Sequence, residues 1–208
     1  MADADPWPMI HAERAALIAD LESLEPSRWE TPSQCAGWTV RDVLAHMTAT
    51  ARMTPPKFFS KFVSSGFRFN AMAQKDVEAE RGSSGADALQ RFRSQANSTT
   101  HPPGPIDAML GEAVLHGEDI RRPLGISHTY PMAVVTRCAD FYKGSNLLIG
   151  TKKRIDGLTL KATDTDWSNG SGPEVTGPML ALLLAMTGRA GALLELYGPG
   201  VTTLRSRA

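Results

Sequence analysis

The chain has 208 residues, 42% hydrophobic and 21% charged, with 22 basic residues balancing 22 acidic ones. That length buries the core of one large domain, or of a main domain with a smaller appendage, in an ordinary soluble protein. Zero net charge gives no broad attraction to nucleic acid or an anionic membrane, and the longest apolar run, "MLALLLAM" at 179–186, is far short of a membrane span.

The opening "MADADPWP" lacks the basic region and apolar core of an export signal. Cys35 and Cys138 make no C-x-x-C pair, so a disulfide framework is not expected and a reducing cytoplasm is the default. His11 to Leu24 carries an apolar stripe at Ala15, Leu17, Ile18, Leu21 and Leu24, which predicts the first helix. A turn-rich stretch follows. Thr39 and Asp42 then stand in the spacing of a capping box ahead of "VRDVLAHMTATARM", a helix that Pro55-Pro56 ends.

A helical region over 57–80 is broken near Ser64-Ser65-Gly66, and "RGSSGAD" reads as a linker whose Ser84 or Asp87 caps a helix to about Asn97. After the loop "STTHPPGP", Pro105 suits the start of a helix that stops before Pro123, and a further helix begins near Pro131. Beyond Gly157 the texture changes. Alternation over 158–162, an Asn-Gly turn at 169–170 and an extended stretch at 174–176 precede a helix between Pro178 and Gly188. The last residues, "GPGVTTLRSRA", fit strand or helix. The expected architecture is therefore mainly α: an antiparallel helical bundle over 1–150 and a small α+β sub-domain over 157–208.

Bundles commonly build sites from side chains on facing helices. Positions four apart nearly superimpose on a helix, so Glu112 and His116 share a face at the shoulder of the stripe made by Ile106, Met109, Leu110 and Ala113. His46 holds a similar shoulder beside Val43 and Met47. If the two helices pack, His46, Glu112 and His116 form a three-donor set that leaves a divalent ion one open position, as in catalytic zinc sites. Nickel and iron fit the same ligand types. The bland alternative makes Glu112 a solvated residue and the histidines edge residues with ordinary hydrogen bonds.

Three blocks, "TPSQCAGWTVRDVLAHM" at 31–47, "PPGPIDAMLGEAVLHGEDIRRPLG" at 102–125 and "GLTLKATDTDWSNGSGPEVTGPMLALLLAMTGR" at 157–189, resemble the mycothiol-dependent maleylpyruvate isomerase family of actinobacteria, within the DinB-like four-helix-bundle metalloproteins. The resemblance implies a DinB-like bundle holding a divalent metal, usually zinc, on residues that match His46, Glu112 and His116. It implies mycothiol as a low-molecular-weight thiol cosubstrate and a catalytic arginine that matches Arg189. Position alone makes Arg189 equally well a helix-terminal cation.

The implied chemistry is delivery of a metal-held thiolate to an electrophilic small molecule. In an isomerase the sulfur adds to a conjugated double bond, allows rotation and leaves; in an S-transferase it stays. Arg189 would hold a substrate carboxylate through paired hydrogen bonds. The alternatives are a non-catalytic metal- or ligand-binding regulatory relative, and a hydrolase using metal-bound water. Small-molecule partners are expected, with no nucleic acid and no membrane; pairing into a homodimer through apolar helix faces is open.

Other residues read more plainly. Asp119, three beyond His116, either orients a ligand or a bound thiol, or is a solvated helix residue. Cys35 is open to reading as a fourth ligand or a nucleophile, but reads more plainly as a small buried residue ahead of the helix, since nothing beside it in sequence would activate its thiol. Arg121 and Arg122 suit a helix C-terminus. His11, His101 and His128 have no partner at metal-type spacing, and Trp38 and Trp167 read as packing at turns.

Overall fold

Thr39 starts the helix that the rest of the N-terminal portion is built around. Its hydroxyl accepts from the Asp42 amide at 3.3 Å, and the Asp42 carboxylate accepts from the Thr39 amide at 2.9 Å, closing the expected capping box. Asp42 also pairs with Arg81 at 2.9 Å. The structure, a computed structural model, describes residues 5–146 and 149–208. The chain divides into two units, Met1–His128 and Thr129–Ala208.

The first unit holds α1 (Trp7–Leu21), a short 3-10 helix (Pro26–Glu30), α2 (Val40–Ala51), α3 (Pro55–Ser64), α4 (Phe69–Glu80), α5 (Gly85–Arg93) and α6 (Asp107–Leu124). Both α1 and α2 pack against α5 and α6, which closes a four-helix arrangement, and α4 lies along α2. Leu17 and Leu21 of α1, Val43, Leu44 and Met47 of α2, Phe92 of α5 and Ile120 of α6 meet in one buried core, with Trp29 from the 3-10 helix. Burying such side chains supplies about 1.5–3 kcal/mol each.

Pro55-Pro56 ends α2 as expected but also opens α3, because a proline fits the first helical turn, where its missing N–H has no partner to lose. The break before α4 is sharp: Gly66 and Phe67 both take positive φ, 62° and 59°. Ser84 caps α5 by accepting from the Asp87 amide at 3.2 Å.

Helix α6 does not stop before Pro123. It runs through the proline to Leu124 and ends on Gly125 in the left-handed conformation. A proline inside a helix deprives the carbonyl four residues back of its donor. Here that carbonyl is Asp119's, and the Gln34 amide donates to it instead at 3.1 Å. The expected interruption becomes a tether between the 31–39 loop and α6.

The second unit holds α7 (Met132–Lys143), α8 (Thr151–Arg154), β1 (Thr159–Ala162), β2 (Ser168–Gly170), β3 (Glu174–Gly177), α9 (Met179–Met186), a 3-10 helix (Ala190–Glu195) and α10 (Val201–Arg205). Because α7 packs on α9, the division falls ahead of residue 150. The sheet order is β2-β1-β3, with β1–β2 antiparallel and β1–β3 parallel.

Asn169-Gly170 is not the expected turn but part of β2, with Asn169 opposite Leu160 and Gly170 opposite Thr159. Gly170 has φ 87°, and a Cβ there would stand 2.2 Å from the Leu158 carbonyl oxygen, so close backbone approach is what calls for glycine. Trp167 is buried, as expected of packing at a turn, and donates to Asp140 at 3.1 Å. The undecided C-terminal stretch is helical at 201–205. No helix among the described residues is long and apolar enough to cross a membrane.

Loss of the capping box is a local test of this fold. Thr39→Ala is expected to lower stability by about 1 kcal/mol, read as a lower urea midpoint with an unchanged slope.

Candidate metal centre

Helices α2 and α6 pack together and bring His46 and His116 side by side, whereas Glu112, one turn before His116 on α6, does not join them in a set of donor atoms within 4.8 Å of one another. His46, Glu112 and His116 are all half-buried, because each sits beside its helix's buried stripe rather than opposite it. The His46 and His116 rings lie 5.1 Å apart between centroids and nearly perpendicular, at 84°. Trp38, at the end of the 31–39 loop, covers the other side of His46 with its ring 5.1 Å away.

Behind His116 stands Asp119, one turn on along α6 and wholly buried. Its Oδ2 lies 2.9 Å from His116 Nδ1 and accepts from the Cys35 thiol at 3.2 Å. Cys35 Sγ is also 3.7 Å from His116 Nδ1. Of the two sequence readings of Asp119, the solvated one is overturned: this carboxylate orients an imidazole. Cys35 was expected to be inert packing, yet it touches both. Among the described residues, Cys35, His116 and Asp119 form a set whose donor atoms all lie within 4.8 Å of one another.

Burial sets the protonation of the other groups. His46 falls from an ordinary 6.5 to about 3, first because burial disfavours its charged form and second because His116 lies beside it. Glu112 rises from 4.5 to about 7, driven by burial and opposed by His116, Arg14 and a hydrogen bond from Thr50. Arg14 on α1 is itself buried and lowered by that burial, partly offset by the Glu112 charge. Its Nη1 donates to the Ser98 carbonyl at 2.9 Å.

Arg189 belongs to the second unit, where its Nη1 donates to the Thr187 carbonyl at 3.2 Å, just past the end of α9. His128 meets Glu13 at 2.9 Å, while His11 and His101 flank Trp7. Arg121 is buried on Asp20 at 2.7 Å, and Arg122 pairs with Glu118 at 2.8 Å. An open cleft of about 450 Å³ on the same unit is lined by Arg52, Lys57, Lys61 and Glu80 among others, and by none of the residues above. Asp119 was visible in the sequence by its spacing from His116. Arg14 carried no signal, and at Cys35 the packing reading outweighed the ligand one, since only tertiary packing brings in its partners.

A four-helix unit with a polar cluster between two of its helices, followed in the chain by a small α+β unit, defines a mainly α protein of helical-bundle fold. Its N-terminal portion is similar to one known domain: residues 10–104 match the model of the mycothiol maleylpyruvate isomerase N-terminal domain. The match contains Cys35 and His46, while Glu112, His116 and Asp119 lie beyond it.

Two solved structures of a mycothiol-dependent maleylpyruvate isomerase share the fold. One, a histidine-to-alanine mutant, has a TM-score of 0.64 at 10% identity, covering 93% of this chain and 91% of that one. The other has a TM-score of 0.61 at 11% identity, covering 88% of each. No curated protein sequence matches.

The shifted Glu112 predicts a pH effect on the metal-free protein. Its folded value of about 7 exceeds the unfolded 4.5, so the native state holds the extra proton and stability falls as pH rises through that window. Glu112→Gln removes the cost and is expected to exceed wild type by about 1–3 kcal/mol at pH 8, with the gain gone below pH 4.5. Urea unfolding in chelator at both pH values reads this. His46 acts oppositely: its stabilising contribution is present above 6.5 and lost as pH falls toward 3.

Proposed function

We propose that the protein is a mycothiol-using isomerase of a small electrophilic substrate, dependent on a divalent metal, with zinc the ion of choice, held by His46, Glu112 and His116. The observation that carries this reading is the His46–His116 pair backed by a buried carboxylate. Metal–nitrogen bonds of about 2.0–2.1 Å set two imidazoles on one tetrahedral ion about 5 Å apart between ring centres, which the pair satisfies. Metal-binding histidines regularly donate their second ring N–H to a carboxylate, as His116 does toward Asp119.

Electrostatics support the same donor set. His46 is neutral at pH 7 and so offers a lone pair. Glu112 is driven toward the neutral acid by burial, which outweighs His116, Arg14 and the Thr50 hydrogen bond, a cost that a cation between the helices would offset. A divalent ion there supplies the Lewis acidity that keeps a thiol deprotonated at neutral pH.

The chain's own groups divide the remaining work. Asp119 fixes the tautomer and orientation of His116, so that Nε2 is the nitrogen presented away from it. Trp38 covers His46 and limits water there. Arg189 is proposed as the cation for a substrate carboxylate, a role its fork of donors suits. The cytoplasm, where a low-molecular-weight thiol stays reduced, is the compartment this reading requires. Retention of the sulfur on the product would make the enzyme an S-transferase at the same site.

His116→Ala is expected to lose bound metal and at least about 100-fold of mycothiol-dependent turnover, read by elemental analysis and by isomerisation of cis-unsaturated keto acids. Asp119→Asn is expected to weaken metal affinity by about 10–100-fold. Fully metallated wild type that turns over no electrophile with mycothiol would instead mark a binding protein; turnover without any thiol would mark a hydrolase.

A further inference from the structure

We propose that Cys35, Asp119 and His116 Nδ1 form a second metal site, for a thiophilic divalent ion of the zinc class, that competes with the His46–Glu112 side for the single His116 ring. It shares His116 with the reading above but rests on its own geometry. The three heteroatoms are 3.2 Å (Sγ to Oδ2), 3.7 Å (Sγ to Nδ1) and 2.9 Å (Nδ1 to Oδ2) apart. Zinc bonds of about 2.3 Å to sulfur and about 2.0–2.2 Å to nitrogen and oxygen put tetrahedral donor atoms about 3.3–3.6 Å apart. Shifts of a few tenths of an ångström in the side chains therefore suffice to close the set around an ion.

Charge and chemistry agree with the spacing. The three groups now share the Cys35 thiol proton and the imidazole N–H proton around one carboxylate oxygen. A divalent ion replaces both at Sγ and Nδ1: the thiol proton leaves to solvent, and the ring proton moves to Nε2. The resulting thiolate and carboxylate balance the two positive charges, so the buried site is neutral overall. A thiolate beside an imidazole selects zinc-like ions over magnesium or calcium. Cys35 and His116 each keep part of their surface open, which gives the ion a way in. The 31–39 loop is pinned beside α6 by the Gln34–Asp119 main-chain bond, so Sγ is held in place before any ion arrives.

Competition follows from the ring itself. A neutral imidazole has one nitrogen lone pair to give, and the other nitrogen carries the proton. An ion on Nδ1 therefore withdraws Nε2 from the other site. An excess of a thiophilic ion shuts down the proposed centre by capturing its histidine, and the chain binds one ion, not two.

Cobalt(II) reports on this directly, because thiolate ligation adds a near-ultraviolet charge-transfer band that nitrogen and oxygen ligands do not give. The metal-stripped full chain is titrated with cobalt(II) without oxygen. The proposal expects a thiolate band in wild type that persists in His46→Ala and disappears in Cys35→Ser, with one ion per chain. Visible cobalt bands without a thiolate band in wild type, but dependent on His46, would overturn it while leaving the proposed function intact.

A thiolate band lost in His46→Ala would equally defeat a separate site, and one surviving in Cys35→Ser would assign the sulfur to Cys138 and do the same. No cobalt binding at all defeats both proposals. Should Cys35→Ser fail to fold, the cobalt band in His46→Ala together with the protection of Cys35 from alkylation decides. One equivalent of zinc is expected to slow alkylation of Cys35, followed by peptide mass, at least roughly tenfold, since the thiolate serves as both nucleophile and ligand. An unchanged rate rejects the site.

Discussion

A single buried aspartate ties the loop before α2 to the helix that faces it. Asp119 uses its side chain to hold His116 and Cys35, and its main-chain carbonyl to hold Gln34. The second role exists only because Pro123 takes the N–H that would otherwise satisfy that carbonyl. A proline in a helix interior costs about 3 kcal/mol in isolation, and leaving a buried carbonyl unpaired costs about 1–3 kcal/mol more. The Gln34 amide removes the second cost and in exchange fixes where the loop lies. The polar cluster and the helix irregularity are thus one arrangement.

The other half of the cluster is governed by dehydration. Between α2 and α6 the surroundings favour a neutral imidazole at His46 and oppose an ionised Glu112. Arg14 lies near enough to Glu112 to be felt but is committed to main-chain carbonyls at the end of the α5 region. Buried acid and buried base therefore do not neutralise each other. A region so poor in compensating charge gains most from a cation, which is why the proposed metal reading accounts for both displaced groups with one addition.

Local chemistry was legible in the sequence and distant contact was not. The Thr39–Asp42 capping box, the Ser84 cap and the two roles of proline follow from interactions spanning four residues or fewer, and the helices stand close to where periodicity puts them. The shared face of Glu112 and His116 is equally local, and the apolar stripes on α2 and α6 implied the meeting of His46 with His116. The failures have a common cause. Asn169-Gly170 looked like a turn because the Leu158 carbonyl that demands glycine lies across the sheet. Pro123 looked like a stop because its compensating donor is 89 positions earlier. Cys35 looked inert because its carboxylate and imidazole partners come from α6. The family match, which ends at residue 104, likewise covers the His46 side of the cluster and not the Glu112 side.

Helix α3 behaves unlike its neighbours. It buries none of its ten residues. Phe58, Phe59, Phe62 and Phe67 instead rest on one another at ring separations of 5.6–5.7 Å, while Lys61 pairs with Asp76 on α4. A segment whose rings pack on one another, and which buries none of its own residues, separates from the body at far less free energy than global unfolding needs. Lys57, Ser60 and Lys61 from this helix form one wall of the cleft against α2. The width of that cleft is consequently set by where a lightly anchored helix rests, and not by the four-helix core alone.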